Sequence, residues 1–482
     1  GPPGPLGGPI DVPVERGARI WRADALRILP LAWPVFMGQV AMVLFATVDT
    51  LLVARASATD LAALAIGAAA YITIFIGLMG VVLAVGPIVG QLYGAKRFEA
   101  AGDQLHQAVW LALGLSLLGS LLLAFPQPFI ALARAEPAVA ERLRGHLLAL
   151  AFALPAGLLF SAFRGFNTAV SRPKAVAVLQ LGGLVLKVPL AALFVHGAGP
   201  VPALGVVGCG VSTAIAMWCV VLVAWWVLRR DAFYAPFAIF GRGLRRPDRA
   251  ALARQLRLGV PMGGSVMIEV TGFASMAFFI SRFGTTPVAG HQIAANLVSL
   301  LFMVPMALGN ATGTLAAQRI GANAMHEARR IAWHGLELAA LIALVLGVGV
   351  FFAREAIVRL YTADELIVAA VLPLLAWVAL FHFVDAMQIV AAFTLRAWHI
   401  ATLPLLIYAA SIWGLGVGGG YSLAFNPGGE VPATLHGARG FWIASTAGLA
   451  AAATGLVLLL AWIVRRAQST SASSVRTDLR SG

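Results

Sequence analysis

Apolar runs broken by short polar segments repeat along the whole 482-residue chain, at 28–53, 61–90, 105–125, 146–168, 174–196, 204–228, 256–281, 286–318, 330–353, 368–394, 400–424 and 439–464. A helix needs roughly 20 mostly apolar residues to cross a bilayer. Inside lipid only a helix or a closed barrel satisfies its own backbone hydrogen bonds. The runs are too long and too continuously apolar for barrel strands, so the pattern predicts an all-α polytopic membrane protein with twelve transmembrane helices.

The pattern also repeats. A shift of 227 residues places Pro34 on Pro261, Gln91 on Gln318, Gly94 on Gly321 and Ala95 on Ala322, and a shift of 232 places Arg164 on Arg396, Gly205 on Gly437 and Gly208 on Gly440. A short loop insertion accounts for the difference. The chain therefore reads as two six-helix lobes, 28–228 and 256–465, joined by a basic linker at 229–255 and flanked by tails at 1–27 and 466–482. Both lobes start on the same side and hold an even number of spans, so the repeat is parallel, with its axis along the membrane normal. The opening GPPGPLGGP is excluded from the fold, the polar segment after Arg466 is expected to lack order, and span 1 itself is expected to direct insertion.

Composition agrees with this class. The chain is 60% hydrophobic and 11% charged, with mean hydropathy +0.89, whereas a soluble domain carries about 25% charge. The net charge of +14 would suit a nucleic-acid partner were it not distributed by side. About 25 of the 34 Lys and Arg fall with the two termini, which places both ends in the cytoplasm by the positive-inside rule. Arg242, Arg245, Arg246, Arg249, Arg254 and Arg257 form the densest group, suited to anionic lipid headgroups rather than nucleic acid. Arginine outnumbers lysine 31 to 3, a compositional hint of a GC-rich bacterium and so of its inner membrane. Cys209 and Cys219 lie in one span and read as packing residues. No phosphate-binding loop, H-E-x-x-H or paired CxxC is present, so the chain is not expected to be an enzyme, to hold a metal or organic cofactor, or to hydrolyse ATP.

Candidate chemistry lies in the few polar residues at membrane depth, which are costly there and usually face a protein interior or a water-filled path. Glu269 stands near the middle of span 7 and suits a group that alternates between protonated, deprotonated or ion-bound states. In span 10, His382, Asp385 and Gln388 follow at i, i+3 spacing and predict one polar helix face. Lys187 in span 5 needs a partner, and Asp49 in span 1 is the nearest acid in the same lobe; a structural and a coupling role are both open for this pair. Under the 227 shift Asp49 falls on Met276 and Glu269 on Met42, so each lobe has its own polar site in a different place. His291, Gln292 and Asn296 add polar groups in span 8, the first two suited either to orienting a neighbour or to packing.

VDTLLVA at Asp49, VGQLYGA before Lys96, VGCGVSTAI around Gly208, GVP through EV at Glu269, AGHQIAANLVSLLFMVP at His291 and VDAMQIVAAFTLRAW at Asp385 together resemble the multidrug and toxic compound extrusion family, MATE, in its NorM branch. The resemblance covers about 28–465. It implies a V of two six-helix lobes that exports organic cations in exchange for sodium or protons. It further implies that Glu269 and Asp385 line a C-lobe cation site with Asn296 nearby, and that Asp49 is the N-lobe coupling acid. Three departures stand out: Lys187 and Ala191 replace asparagines common in the branch, Phe381 replaces a frequent tyrosine, and the RGYKD pattern reads Arg396, Ala397, Trp398, His399, Ile400.

The expected function is secondary active export of cationic or amphipathic drugs by alternating access, coupled to protons or sodium, by a monomer in contact with membrane lipid. Phe381, His382, Gln388, His291 and Gln292 are the further candidates for substrate or cation contact. The alternative is a lipid-intermediate flippase of related fold, which an arginine-lined inter-lobe groove would favour.

Overall fold

The computed structural model describes residues 13–478, so the Pro/Gly-rich opening lies outside the described residues. Among the described residues, twelve helices are long and apolar enough to cross a membrane: α1 Glu15–Ala54, α2 Ala58–Gly94, α3 Phe98–Ala124, α4 Pro137–Ala169, α5 Pro173–His196, α6 Val206–Arg230, α7 Arg249–Phe283, α8 Thr285–Gly321, α9 Met325–Tyr361, α10 Glu365–Ala397, α11 Thr402–Phe425 and α12 Ala438–Ala467. The helix of α12 continues to Asp478, so part of the tail expected to lack order is helical. Helix likewise begins at Pro13, well before residue 28.

That early start has a tertiary cause. Asp24 is 1% exposed and accepts from Arg330 Nε at 3.0 Å, while its Oδ2 lies 2.6 Å from His334 Nδ1. An acid so buried is stabilised only where such partners meet it, and they come from α9 in the other lobe. The linker is shorter than expected, because α7 already begins at Arg249. It is also strapped to the N lobe: His106 Nε2 meets Ile239 O at 2.9 Å, Gln107 Nε2 donates to Arg246 O at 3.0 Å, and Trp110 Nε1 donates to Arg245 O at 2.7 Å.

The N lobe packs around α4, whose Leu143, Leu147, Leu154, Leu158 and Phe166 are fully buried. The C lobe packs around α10, where Val378, Val390, Ala391 and Leu395 are equally buried. Two helices are irregular. Helix α2 is interrupted after Val82 and resumes at Val85, beside the Gly86–Pro87 pair. Helix α11 contains a π-helical stretch, Ala409–Gly418, in its glycine-rich middle; such turns leave backbone groups off the regular ladder and occur often at functional sites.

The lobes meet with approximate two-fold symmetry. A Cβ added to Gly94 would lie 1.8 Å from Gln318 O, and one added to Gly321 would lie 1.8 Å from Gln91 O. Only glycine permits that approach. The side chains reciprocate: Gln91 Nε2 donates to Ala397 O at 2.6 Å, capping α10, and Gln318 Nε2 donates to Ala169 O at 2.9 Å, capping α4. The final carbonyls of a helix have no partner within it. These contacts gather at the end of the molecule that carries both termini, where the lobes are therefore closed against each other.

Candidate substrate and cation sites

Inside the C lobe a cavity of about 360 Å³ is lined by Glu269 from α7, Asp385 and Gln388 from α10, Ser299 and Phe302 from α8, Gly416 from α11 and Ser445 from α12. Phe273 and Phe381 complete an aromatic wall, with ring centroids 6.4 Å apart, and Phe381 lies 5.3 Å from Trp442. Gln388 Nε2 donates to Asp385 Oδ1 at 2.8 Å, and the Tyr408 hydroxyl donates to Gln388 Oε1. Tyr408 and Gln388 also face the Glu269 carboxyl. Two carboxyls and one amide thus converge on a largely apolar chamber, with the hydroxyls of Ser299 and Ser445 in its wall and the Tyr408 phenol behind Gln388. Among the described ion pairs, none engages Glu269 or Asp385.

The N lobe is built differently. Lys187 is fully buried in α5, and its Nζ lies 2.8 Å from Asp49 Oδ1. The same ammonium donates to Thr213 Oγ1 at 2.5 Å and to Cys209 O at 3.2 Å, and sits 4.8 Å from the centroid of Phe45. Two of its N–H groups are thus hydrogen-bonded, and the contact with Asp49 is an ion pair by distance. Cys209 and Cys219 are free thiols. The pairing proposed from sequence is therefore present, and Asp49 already holds a fixed cation.

The MatE family model matches residues 34–193 and again 261–422. The chain belongs to this family. The two matches begin at Pro34 and Pro261, the prolines that the internal repeat superposes. Over 444 residues it is 38% identical to the probable multidrug resistance protein NorM of Aromatoleum aromaticum, covering 92% of this chain and 95% of that one. The multidrug resistance protein NorM of Vibrio cholerae is 34% identical, with 92% and 97% covered. Among solved structures, a MATE in the bent conformation superposes with TM-score 0.84 over 93% of this chain and 97% of the other, at 18% identity. An outward-facing multidrug resistance MATE transporter superposes with TM-score 0.82 over 92% and 96%, at 16% identity. The chain is thus a multidrug efflux transporter of the MATE family, a multi-pass bacterial membrane protein and not an enzyme.

Several candidates stand elsewhere in this MATE chain than the sequence suggested. Asn296 is exposed and its Oδ1 accepts from Tyr361 OH at 2.7 Å, so it belongs to the α8–α9 contact and not to the cavity. An amide in an apolar layer takes the nearest donor, here the phenol at the end of α9. His382 is fully buried, yet neither ring nitrogen has a hydrogen-bond partner among the described residues, and the ring does not line the cavity. At 3.6 residues per turn His382 and Gln388 point about 120° apart around Asp385, and the chamber takes only the Gln388 side. His291 is a packing residue that accepts from Trp442 Nε1 at 3.0 Å. Gln292 is exposed and off the cavity. Tyr408, Ser299 and Ser445 were missed. A phenol or hydroxyl in an apolar run is ordinary; the signal available was the glycine cluster after Tyr408, which marks an irregular helix.

Proposed function

We propose that this protein is an antiporter that exports organic cations and amphipathic drugs across the bacterial inner membrane by alternating access, with both termini in the cytoplasm and protons as the coupling ion. The observation that carries the reading is the pair Glu269 and Asp385 facing one apolar cavity with neutral hydrogen-bond partners only. Two carboxylates sharing such a chamber repel each other, and Arg396, which is within electrostatic range of Glu269, forms no ion pair with either among the described ones, so uptake of a cation is favoured. A proton supplies that charge with the fewest ligands, whereas sodium needs several oxygens around it, by analogy with other hard cations. An organic cation supplies it too, and the faces of Phe273, Phe302 and Phe381 favour a flat aromatic one. Proton and drug then compete for the same carboxyls, which is the requirement for exchange.

Alternation is supported by the symmetric closure at Gly94 and Gly321, since one lobe can rock on the other about that axis. Asp49, held by Lys187, plays a supporting electrostatic part in the N lobe. The chain acts as a monomer, without metal or organic cofactor, and touches lipid along its outer faces. Ethidium efflux from proteoliposomes tests the reading. Wild-type protein should empty the vesicles under an inward proton gradient, and Glu269→Gln, which keeps shape and removes charge, should fall to the protein-free rate. Wild-type efflux from the Gln variant contradicts it.

A further inference from the structure

Besides the C-lobe chamber, a second cavity, of about 90 Å³, lies between the lobes and is lined by Pro87 from α2, Arg164 and Thr168 from α4, Asn310 and Thr314 from α8, and Arg396 from α10. Arg164 and Arg396 are the same residue of the two repeats under the 232 shift. Neither guanidinium has an acidic partner among the described ion pairs. Among the described contacts, Arg164 donates to the thioethers of Met42 at 3.7 Å and Met79 at 3.1 Å, and Arg396 stacks on the Phe393 ring at 4.2 Å.

Sulfur and an aromatic face are weak partners for a group with five N–H donors. The C-terminal turns of α4 and α10 favour a cation through the helix dipole, but a lysine or arginine directed at headgroups would serve that purpose equally. Here both residues line one inter-lobe recess, in which Thr168, Asn310 and Thr314 are the other polar residues of a largely apolar wall. Charged residues at such places usually mark a ligand path. A recess of this size holds a carboxylate with about one or two waters. Arg396 also feels the charge of Glu269, so the recess and the C-lobe chamber are electrostatic neighbours.

We propose that Arg164 and Arg396 form an anion subsite shared by the two lobes, which takes the carboxylate of a zwitterionic amphiphile while its cationic end is drawn to Glu269 and Asp385. The inference rests on the exporter reading and narrows its substrate class. Because each lobe supplies one arginine, the subsite is complete only while the lobes are closed at this end, and it comes apart when they separate.

Tetramethylrhodamine, an amine–carboxylate zwitterion, and its methyl ester, a cation without the carboxylate, differ in the group at issue. Uptake of both into proteoliposomes is measured for the wild type, Arg164→Gln, Arg396→Gln and the two Arg→Lys variants. A charged hydrogen-bond pair lost at such a site changes kcat/KM by roughly tenfold or more. The ratio of kcat/KM for zwitterion over ester should therefore fall about tenfold in each Gln variant and recover in part in the Lys variants. An unchanged ratio overturns the subsite even if overall rates drop, because a folding defect lowers both substrates together. Wild-type transport of the ester but not of the zwitterion overturns the subsite alone; transport of neither overturns the exporter reading. A fluorescent phosphatidylglycerol forms the third arm. Arginine-dependent movement of that lipid between leaflets, with an unchanged dye ratio, would assign the recess to a phosphate headgroup and also overturns the proposal.

Discussion

Removing one member of the buried Asp49–Lys187 pair should harm the protein more than removing both. Lys187 has no exposure and its ammonium is 2.8 Å from Asp49 Oδ1. Lys187→Met keeps the length of the chain and deletes the charge, leaving the Asp49 carboxylate against apolar walls. Loss of one partner of a buried pair costs roughly 3–5 kcal/mol. Asp49→Asn removes the charge but keeps an amide oxygen beside the ammonium, which also donates to Thr213 Oγ1 and Cys209 O at 2.5 and 3.2 Å, so its cost falls at the lower end of that range. The double variant loses the attraction but strands no charge, and about 1–3 kcal/mol of coupling should separate it from the sum of the singles. Thermal unfolding of the purified proteins in detergent reads this as a midpoint for the double variant above that of Lys187→Met. Strictly additive shifts would refute the argument, since they would mean that neither side chain senses the other.

Three further outcomes are expected. Asp385→Asn should abolish coupled dye efflux while leaving the yield of folded protein near that of the wild type, measured by monodisperse elution in detergent; full efflux would remove Asp385 from the cation site. Gly94→Ala or Gly321→Ala cannot coexist with a carbonyl oxygen 1.8 Å from the new Cβ, so a cysteine placed at Ser171, which Gln318 Nε2 contacts at 2.7 Å, should react several-fold faster with a thiol reagent, and an unchanged rate would show that the closure survives. Outside the spans, the backbone N–H of Phe233 and the Arg172 guanidinium hold the Asp231 carboxyl below its ordinary value of 3.8. Its contribution is present above the unfolded value and is lost as pH falls through the lowered one; Asp231→Asn should therefore flatten the acid side of the unfolding profile, and an identical profile would show that these contacts contribute nothing.

The twelve spans were legible because apolar length alone decides a crossing, and the repeat was legible because prolines and glycines at its hinges have fixed positions. Glu269 and Asp385 were legible for a related reason: a carboxyl is so costly in an apolar run that it persists there mainly where it faces a cavity or a partner. Orientation was not. Asn296 lies in a motif beside cavity residues such as Ser299, yet its amide turns to Tyr361, and no local spacing encodes the end of a helix sixty-five residues away. The i, i+3 rule grouped His382 with Asp385 correctly as neighbours on a helix, but a cavity narrower than that arc selects among them. The helical residues before 28 follow from Asp24 meeting Arg330 and His334, partners more than three hundred positions distant. The place of Arg164 and Arg396 on the wall of an inter-lobe recess belongs to the same class, since sequence put Arg164 in span 4 and Arg396 just after span 10 and paired them by the repeat, but did not bring them to one cavity.

Proton-driven exchange at Glu269 and Asp385 is tested most directly in sodium-free proteoliposomes holding the wild-type protein and ethidium. An inward proton gradient, imposed by a pH jump in choline buffer, should drive ethidium out at once, and added sodium should not accelerate it. Efflux that appears only when sodium is supplied would contradict the account.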